Sequence, residues 1–394
     1  MIFHQLNKNN NYMQSNTVML QSAISEANSM PRVQLTTTNY DEAEQEFTKL
    51  LEMEELDQKI EAQPSLISNF EKVLATALID AYEHESGDDA AHRFLQRILY
   101  RINRLKLFWY DDLRHYTNER SLYLRTVRDR IEAPWQQWEL SQFDVAALQQ
   151  LDVKQALIDR AAADLDPPLS DDSRYLREQM SEVGYRHLLA IASFDGLIEA
   201  SRLSRILGGA ANEVQCTLTR VLIEEYGNGR LSRKHSTFFA QMLAELGMQT
   251  EPEAYFDLVP WEVLASINHN FLLTECKRHF LRYNGGLAYF EVAGPAAYRN
   301  YLAAAKRLEL SDAAMGYWEL HIKEDERHGR WMMDDVALPL AQRYPNEAWE
   351  IVLGYDQEKL MGDRAGAAVV KAVREAEQIS SSRFNAARET VEAR

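Results

Sequence analysis

The stretch His321-Ile-Lys-Glu-Asp325-Glu-Arg-His328 decides how this chain is read. Steps of four and three residues return to one face of an α-helix, so two imidazoles and a carboxylate point the same way. That mixed nitrogen and oxygen set suits non-haem iron with coordination positions left open for oxygen chemistry. A carboxylate turned toward a core is costly unless something neutralises it, and a divalent cation does so. The competing reading is an ordinary solvated helix, because Lys323, Glu324, Glu326 and Arg327 surround the triplet. The choice turns on whether other helices bring matching ligands.

Composition narrows the setting. The 394 residues suffice for a sizeable core, and 46% apolar with 26% charged residues is ordinary globular composition. A formal net charge of −17 argues against a nucleic-acid partner, which would need clustered Lys and Arg. Cys216 and Cys276 form no Cys-x-x-Cys motif, so a disulfide framework and a thiolate zinc site are excluded. Each thiol reads as a small buried hydrophobe rather than a nucleophile. No apolar run is long enough to span a bilayer, and residues 1–11 lack the form of a signal peptide. The expectation is a cytoplasmic protein without a membrane partner.

The pattern along the chain is helical. Residues 1 to about 40 are polar and aperiodic and read as a mobile arm. A helical region follows over 41–165, with Asp41 as an N-cap and helices at about 65–84 and 88–116. Its aromatics, Leu107-Phe-Trp-Tyr110 and Trp135 with Trp138 after Pro134, suit a core or a dimer interface. Asp166-Pro-Pro168 is the strongest breaker and marks a boundary. Beyond it, helices are predicted at about 171–208, 210–226, 232–247, 260–283, 286–308, 311–335 and 346–376, with a polar tail over 378–394. Seven helices without alternating β-branched runs make an all-α bundle over 170–377.

Candidate ligands lie on three of these segments. Glu199 sits in an apolar stretch, Phe194-Asp-Gly-Leu-Ile-Glu-Ala200. Glu225 ends a helix broken by Gly227 and Gly229, where a carboxylate opposes the helix dipole and calls for a cation. His235 opens the next helix. Other candidates read as structural: Glu275 with His279 as a core-edge or solvated pair, His187 and His269 as satisfied core histidines, Asp334 and Asp335 as caps or solvated groups. Glu224 adjoins Glu225, but a step of about 100° should let only one face the core. Gly208-Gly209 and Gly285-Gly286 have no preceding strand and are too sparse for a phosphate loop.

The order Glu199, Glu225-Tyr-Gly-Asn-Gly229, His235 and His321-x-x-x-Asp325-x-x-His328 resembles the haem-oxygenase-like diiron oxidases and oxygenases. The resemblance covers about 180–376, and the spacing is similar to that of the N-oxygenating domain of nitrosourea-forming synthases. It implies a haem-oxygenase-like seven-helix bundle preceded by a helical region. It also implies Glu199, Glu225, His235, Glu291, His321, Asp325 and His328 as ligands of two Fe(II) ions. Glu225 would bridge them and Glu291, on the preceding core helix, would be an additional ligand; these two carboxylates carry the expected catalytic roles. Four carboxylates and three neutral imidazoles balance the charge of two Fe(II).

What the resemblance implies for function is O2-dependent N-oxygenation of an amine or amino-acid nitrogen through a peroxo-diiron unit in a biosynthetic pathway. An external electron donor is expected, and so is a homodimer, which the aromatic content also suits. The same unit serves oxidative C–C cleavage, desaturation or decarboxylation of amino and fatty acids in relatives, which is the first alternative. The second is a non-enzymatic helical interaction protein, which would bind no metal. Ferritin-like sites use Glu-x-x-His, and no Glu stands three residues before a His in this chain. A haem oxygenase would have no use for the carboxylates, and a thiaminase-like relative would need an activated Cys in its pocket.

Overall fold

Side chains that cap helices define where several elements begin. The computed structural model describes residues 38–84, 87–108, 112–209 and 212–392, with Glu199 and residues 383–392 described in backbone only. The N-terminal part contains α1 (Tyr40–Leu51), α2 (Leu56–Ala62), α3 (Ser68–Tyr82), α4 (Asp89–Arg104), α5 (Leu122–Leu140) and α6 (Val153–Leu165). After Pro167 and Pro168 come α7 (Asp171–Glu178), α8 (Glu182–Gly196), α9 (Glu213–Glu225) and α10 (His235–Glu245). The last four are α11 (Trp261–Glu275), α12 (Phe280–Arg307), α13 (Gly316–Trp331) and α14 (Trp349–Glu392). Asp88, Ser121, Asp152, Ser170, Ser181 and Asn212 each accept a backbone N–H at the start of α4 to α9 in turn, satisfying donors that a helix leaves unpaired. No strand occurs among the described residues, and the fold is all-α.

Several boundaries differ from the sequence reading. Asp41 lies inside the first turn of α1, which starts at Tyr40. The helix expected to reach 116 ends at Arg104, and a separate 3-10 turn covers Leu113–Tyr116. The segment 171–208 is three pieces, α7, α8 and a 3-10 turn over Glu199–Ile206. Gly285 and Gly286 do not start a helix; they lie within α12. The backbone of the polar tail stays helical through Glu392, because no Pro or Gly interrupts it and Ser381 and Ser382 bond back to the carbonyls of Glu377 and Gln378. Both cysteines are exposed instead of buried, one on the solvent side of α9 and the other at the break between α11 and α12. The arm expected over residues 1–40 lies almost wholly outside the described residues. No described helix is long and apolar enough to cross a membrane.

Tyr40–Arg394 is one compact unit with several apolar cores. The N-terminal helices bury Phe47, Phe70, Phe94 and Trp135 together with Ala265 of α11 and Met361 of α14. Trp135 is fully buried, and its indole N–H bonds Glu139, which in turn pairs with Arg364 of α14 at 2.7 Å. Trp138 lies beneath the Arg364 guanidinium. These aromatics are core, whereas Phe108 is exposed; Trp109 and Tyr110 lie outside the described residues.

The most extensive helix pairs are α12 with α14 and α12 with α13. At the first of these, backbones touch. A Cβ on Gly285 would lie 1.9 Å from the Ile351 carbonyl oxygen, and one on Gly354 would lie 1.9 Å from that of Arg282. This approach sets the depth of α12, the helix that carries Glu291. Gly354→Ala is therefore expected to destabilise by about 1–3 kcal/mol or more through overpacking. Gly366→Ala, on the same helix with nothing within 4 Å of its Cβ, is expected to stabilise by about 1 kcal/mol. Urea denaturation of the two variants checks the opposite signs.

Candidate metal centre

Glu225 is the last residue of α9, and a left-handed turn brings the chain back to it. Gly227 has φ of 61°, and a Cβ there would sit 2.4 Å from the backbone of Arg233, so only glycine fits. Beyond this turn His235 opens α10 with its Nδ1 2.8 Å from Glu225 Oε2. The same Nδ1 lies 3.2 Å from Nε2 of His321 on α13. One oxygen of Glu225 thus faces His235, and the other lies 3.3 Å from Nδ1 of His328. That Nδ1 also lies 3.5 Å from Glu291 of α12 and 3.9 Å from Asp325.

The solvated-helix reading of α13 fails here. His321, Asp325 and His328 are 3%, 1% and 0% exposed, while Lys323 and Glu326 point outward. Two donor groups result, Glu225 with His235 and His321, and Glu225 with Asp325 and His328; within each the donor atoms lie within 4.8 Å of one another. Glu225 belongs to both. The side chain of Glu199 lies outside the described residues. Its 3-10 turn is tied to the end of α9 by a 2.8 Å hydrogen bond between Ser201 and Tyr226.

Which imidazole nitrogen faces the cluster follows from the other hydrogen bond of each ring. His321 donates from Nδ1 to the Tyr317 carbonyl at 2.9 Å, which leaves Nε2 turned inward. His328 donates from Nε2 to Glu224 at 3.0 Å, which leaves Nδ1 inward. Glu224 was set aside in the sequence because adjacent helical residues diverge. They do diverge, but His328 lies between them and meets one carboxylate on each nitrogen. The doublet Glu224-Glu225 at a helix end was the available signal. A third acidic group, Glu224 with Glu324 and His328, already holds the Arg327 guanidinium, so its charge is met from within the chain.

The cluster carries more negative charge than the protein alone compensates. Burial pushes Asp325 well above the usual carboxylate range, and the charge of Glu291 pushes it further. Burial would also lift Glu225, but the close approach of His235 and His328 outweighs this and holds it below that range. Burial opposes charge on His328, yet the nearby carboxylates of Glu225 and Glu291 raise it to about 11. Asp325 Oδ2 and His328 Nδ1 are nevertheless buried without a hydrogen-bond partner among the described residues. Two unsatisfied donor atoms in a carboxylate- and imidazole-rich cluster are what a divalent cation would satisfy. A cavity of about 190 Å³ reaches Glu225, Glu291, His321 and Asp325, and a second of about 620 Å³ reaches Glu291 and Asp325 past Pro295 and Arg330.

The remaining candidates lie elsewhere. Glu275 pairs with Arg128 and Lys106, at 2.7 and 2.8 Å, across a helix break from His279. His187 is half-buried on α8. His269 is fully buried, which lowers its pKa to about 3. Only one of its nitrogens is partnered, 3.5 Å from Gln136, so the satisfied core histidine is half realised. Asp334 and Asp335 are exposed on a π-helical turn, Met332–Ala337.

The raised pKa of Asp325 means that ionising it costs folded-state stability as pH rises above the reference value of 3.8. Asp325→Asn, permanently neutral, is therefore expected to melt higher than the parent at neutral pH in metal-free buffer. The advantage should close as pH falls toward 3.8. Calorimetry across that range checks it.

Residues 186–358, which include every residue of the cluster and Glu199, match the model of a family described as iron-containing redox enzymes. Over 168 residues, 42% of this chain, the sequence is 27% identical to nitrosourea synthase of Streptomyces achromogenes subsp. streptozoticus. The match spans 36% of the length of that curated relative, little more than a third. The matched segment begins within α8, so the helices α1 to α7 lie outside it. Residues 186–358 thus share the sequence pattern of the iron-containing redox enzymes, carried here on an all-helical fold.

Proposed function

We propose that the chain is a non-haem diiron, O2-dependent oxygenase that hydroxylates the nitrogen of an amine or amino acid. The observation that carries this reading is the position of Glu225, which turns one oxygen toward His235 and the other toward His328. Glu225, His235 and His321 would hold one iron, and Glu225, Asp325 and His328 the other. Glu291, next to His328, would join the second, and the resemblance adds Glu199 to the ligand set. Bound iron would supply O2 activation, with one oxygen atom ending on nitrogen, the other in water, and two electrons coming from an external donor. The nitrosourea synthase similarity supports nitrogen as the acceptor, because a nitrosourea carries oxygen bonded to nitrogen.

The protein's part is to orient and to dry the site. The Tyr317 carbonyl and Glu224 keep His321 Nε2 and His328 Nδ1 turned inward. Ile191, Leu203, Val263 and Leu287 line the cavity leading to them. An amine in such surroundings loses the solvation that favours its ammonium form, so its lone pair is free to react.

Anaerobic Fe(II) titration with Mössbauer detection is expected to saturate at two irons per chain, and Asp325→Ala at one. Saturation of the parent at one would sink the dinuclear site. Glu224→Ala, which frees the His328 ring without removing a ligand, is expected to weaken iron binding by about 10–100-fold. Turnover under isotopically labelled O2 should place the label on substrate nitrogen; a shortened or desaturated carbon skeleton would overturn N-oxygenation.

A further inference from the structure

Among the residues lining the smaller cavity are two buried, opposite charges with no ion pair between them. Arg202 and Glu358 are 9% and 7% exposed, and both line the cavity that reaches Glu225, Glu291, His321 and Asp325. Arg202 pairs through Nη2 with Asp195, while its Nη1 is buried without a hydrogen-bond partner. Among the described residues Glu358 has only Ser266 Oγ and Asn270 Nδ2, both at 3.5 Å, the outer limit of a hydrogen bond. A Cβ on Gly286 would lie 3.3 Å from Glu358 Oε2, so the glycine keeps this side of the carboxylate open.

A buried guanidinium and carboxylate serving stability alone would close on each other, because leaving either under-bonded costs free energy. Their separation across a shared cavity fits a ligand that carries the complementary pair. We infer that Arg202 and Glu358 bind the head of an α-amino acid in this cavity, Arg202 Nη1 taking its carboxylate and Glu358 its ammonium, with the side chain extending toward the imidazole–carboxylate cluster. Guanidinium recognition of a carboxylate and carboxylate recognition of an ammonium are charge-assisted and orienting. Burial raises Glu358 to about 7 against the opposing charge of Arg202, and a bound ammonium would keep it ionised. A volume of about 190 Å³ somewhat exceeds the ~150 Å³ that holds benzene, a scale suited to one amino acid. The fate of the distal nitrogen rests on the function proposed above; recognition of the head does not.

The test is calorimetric binding to the metal-free full chain. The probes are L-lysine and L-arginine, their decarboxylated forms cadaverine and agmatine, and their deaminated forms ε-aminocaproate and δ-guanidinovalerate. At least one amino acid is expected to bind, and to lose tenfold or more in affinity when either head group is removed. Arg202→Gln should abolish the preference over the decarboxylated form, Glu358→Gln the preference over the deaminated form, and Arg202→Lys should keep part of the first. Melting curves confirm that each variant is folded, and the ligand series on the parent decides the matter even if a variant is not. Equal affinity of the parent for amino acid and amine, binding of neither amino acid, or a folded Arg202→Gln that keeps its preference would each overturn the inference. Two irons per chain without head-group preference would sink this inference alone; head-group preference without iron would sink the diiron reading alone.

Discussion

Uncompensated negative charge in the middle of a helical bundle is the constraint around which the rest is arranged. Glu225, Glu291 and Asp325 are all less than a tenth exposed, and the histidines beside them neutralise them only by taking up protons. A structure selected for stability alone would replace such a cluster with apolar side chains at little cost or with gain. Its retention at the meeting point of α9, α10, α12 and α13 is intelligible if an external cation completes it. The orphaned Asp325 oxygen and His328 nitrogen are the local signs of that incompleteness.

Other features of the fold hold this cluster in place. The contact of α12 and α14 backbones at Gly285 and Gly354 fixes the helix bearing Glu291. The turn at Gly227 returns the chain so that His235 meets the carboxylate ten residues before it. Glu224 and the Tyr317 carbonyl then choose which imidazole nitrogens face inward. Each device acts through backbone geometry or one hydrogen bond, so small changes away from the ligands should reach the site.

The cavity joins two kinds of electrostatic environment. Near α13 it is rich in carboxylate and imidazole; near α11 and α14 it presents Arg202 and Glu358 separately. Apolar side chains also line it, among them Ile191, Leu203, Val263 and Leu287, so a ligand filling the cavity would be held by charge at its head and shielded from water. On the proposed function, such a division would let the site recognise a polar substrate and still meet its reacting nitrogen in neutral form.

The sequence by itself determined the helical class and the face of α13. A 4-and-3 spacing of His321, Asp325 and His328 is a property of local helix geometry and needs no tertiary information. The break after Glu225 was equally local, because Gly227 and Gly229 admit backbone conformations that other residues avoid. The helix breaks within 171–208 and the exposure of both cysteines were not legible, because periodicity marks an apolar face without locating its ends or its neighbours. Only the tertiary structure decided that Glu225 faces two donor sets, that Glu224 supports His328 from outside, and that Arg202 and Glu358 share a cavity while remaining apart. Those relations join residues up to about 156 positions apart, and their distances depend on how helices cross. Spacing along one helix cannot encode them.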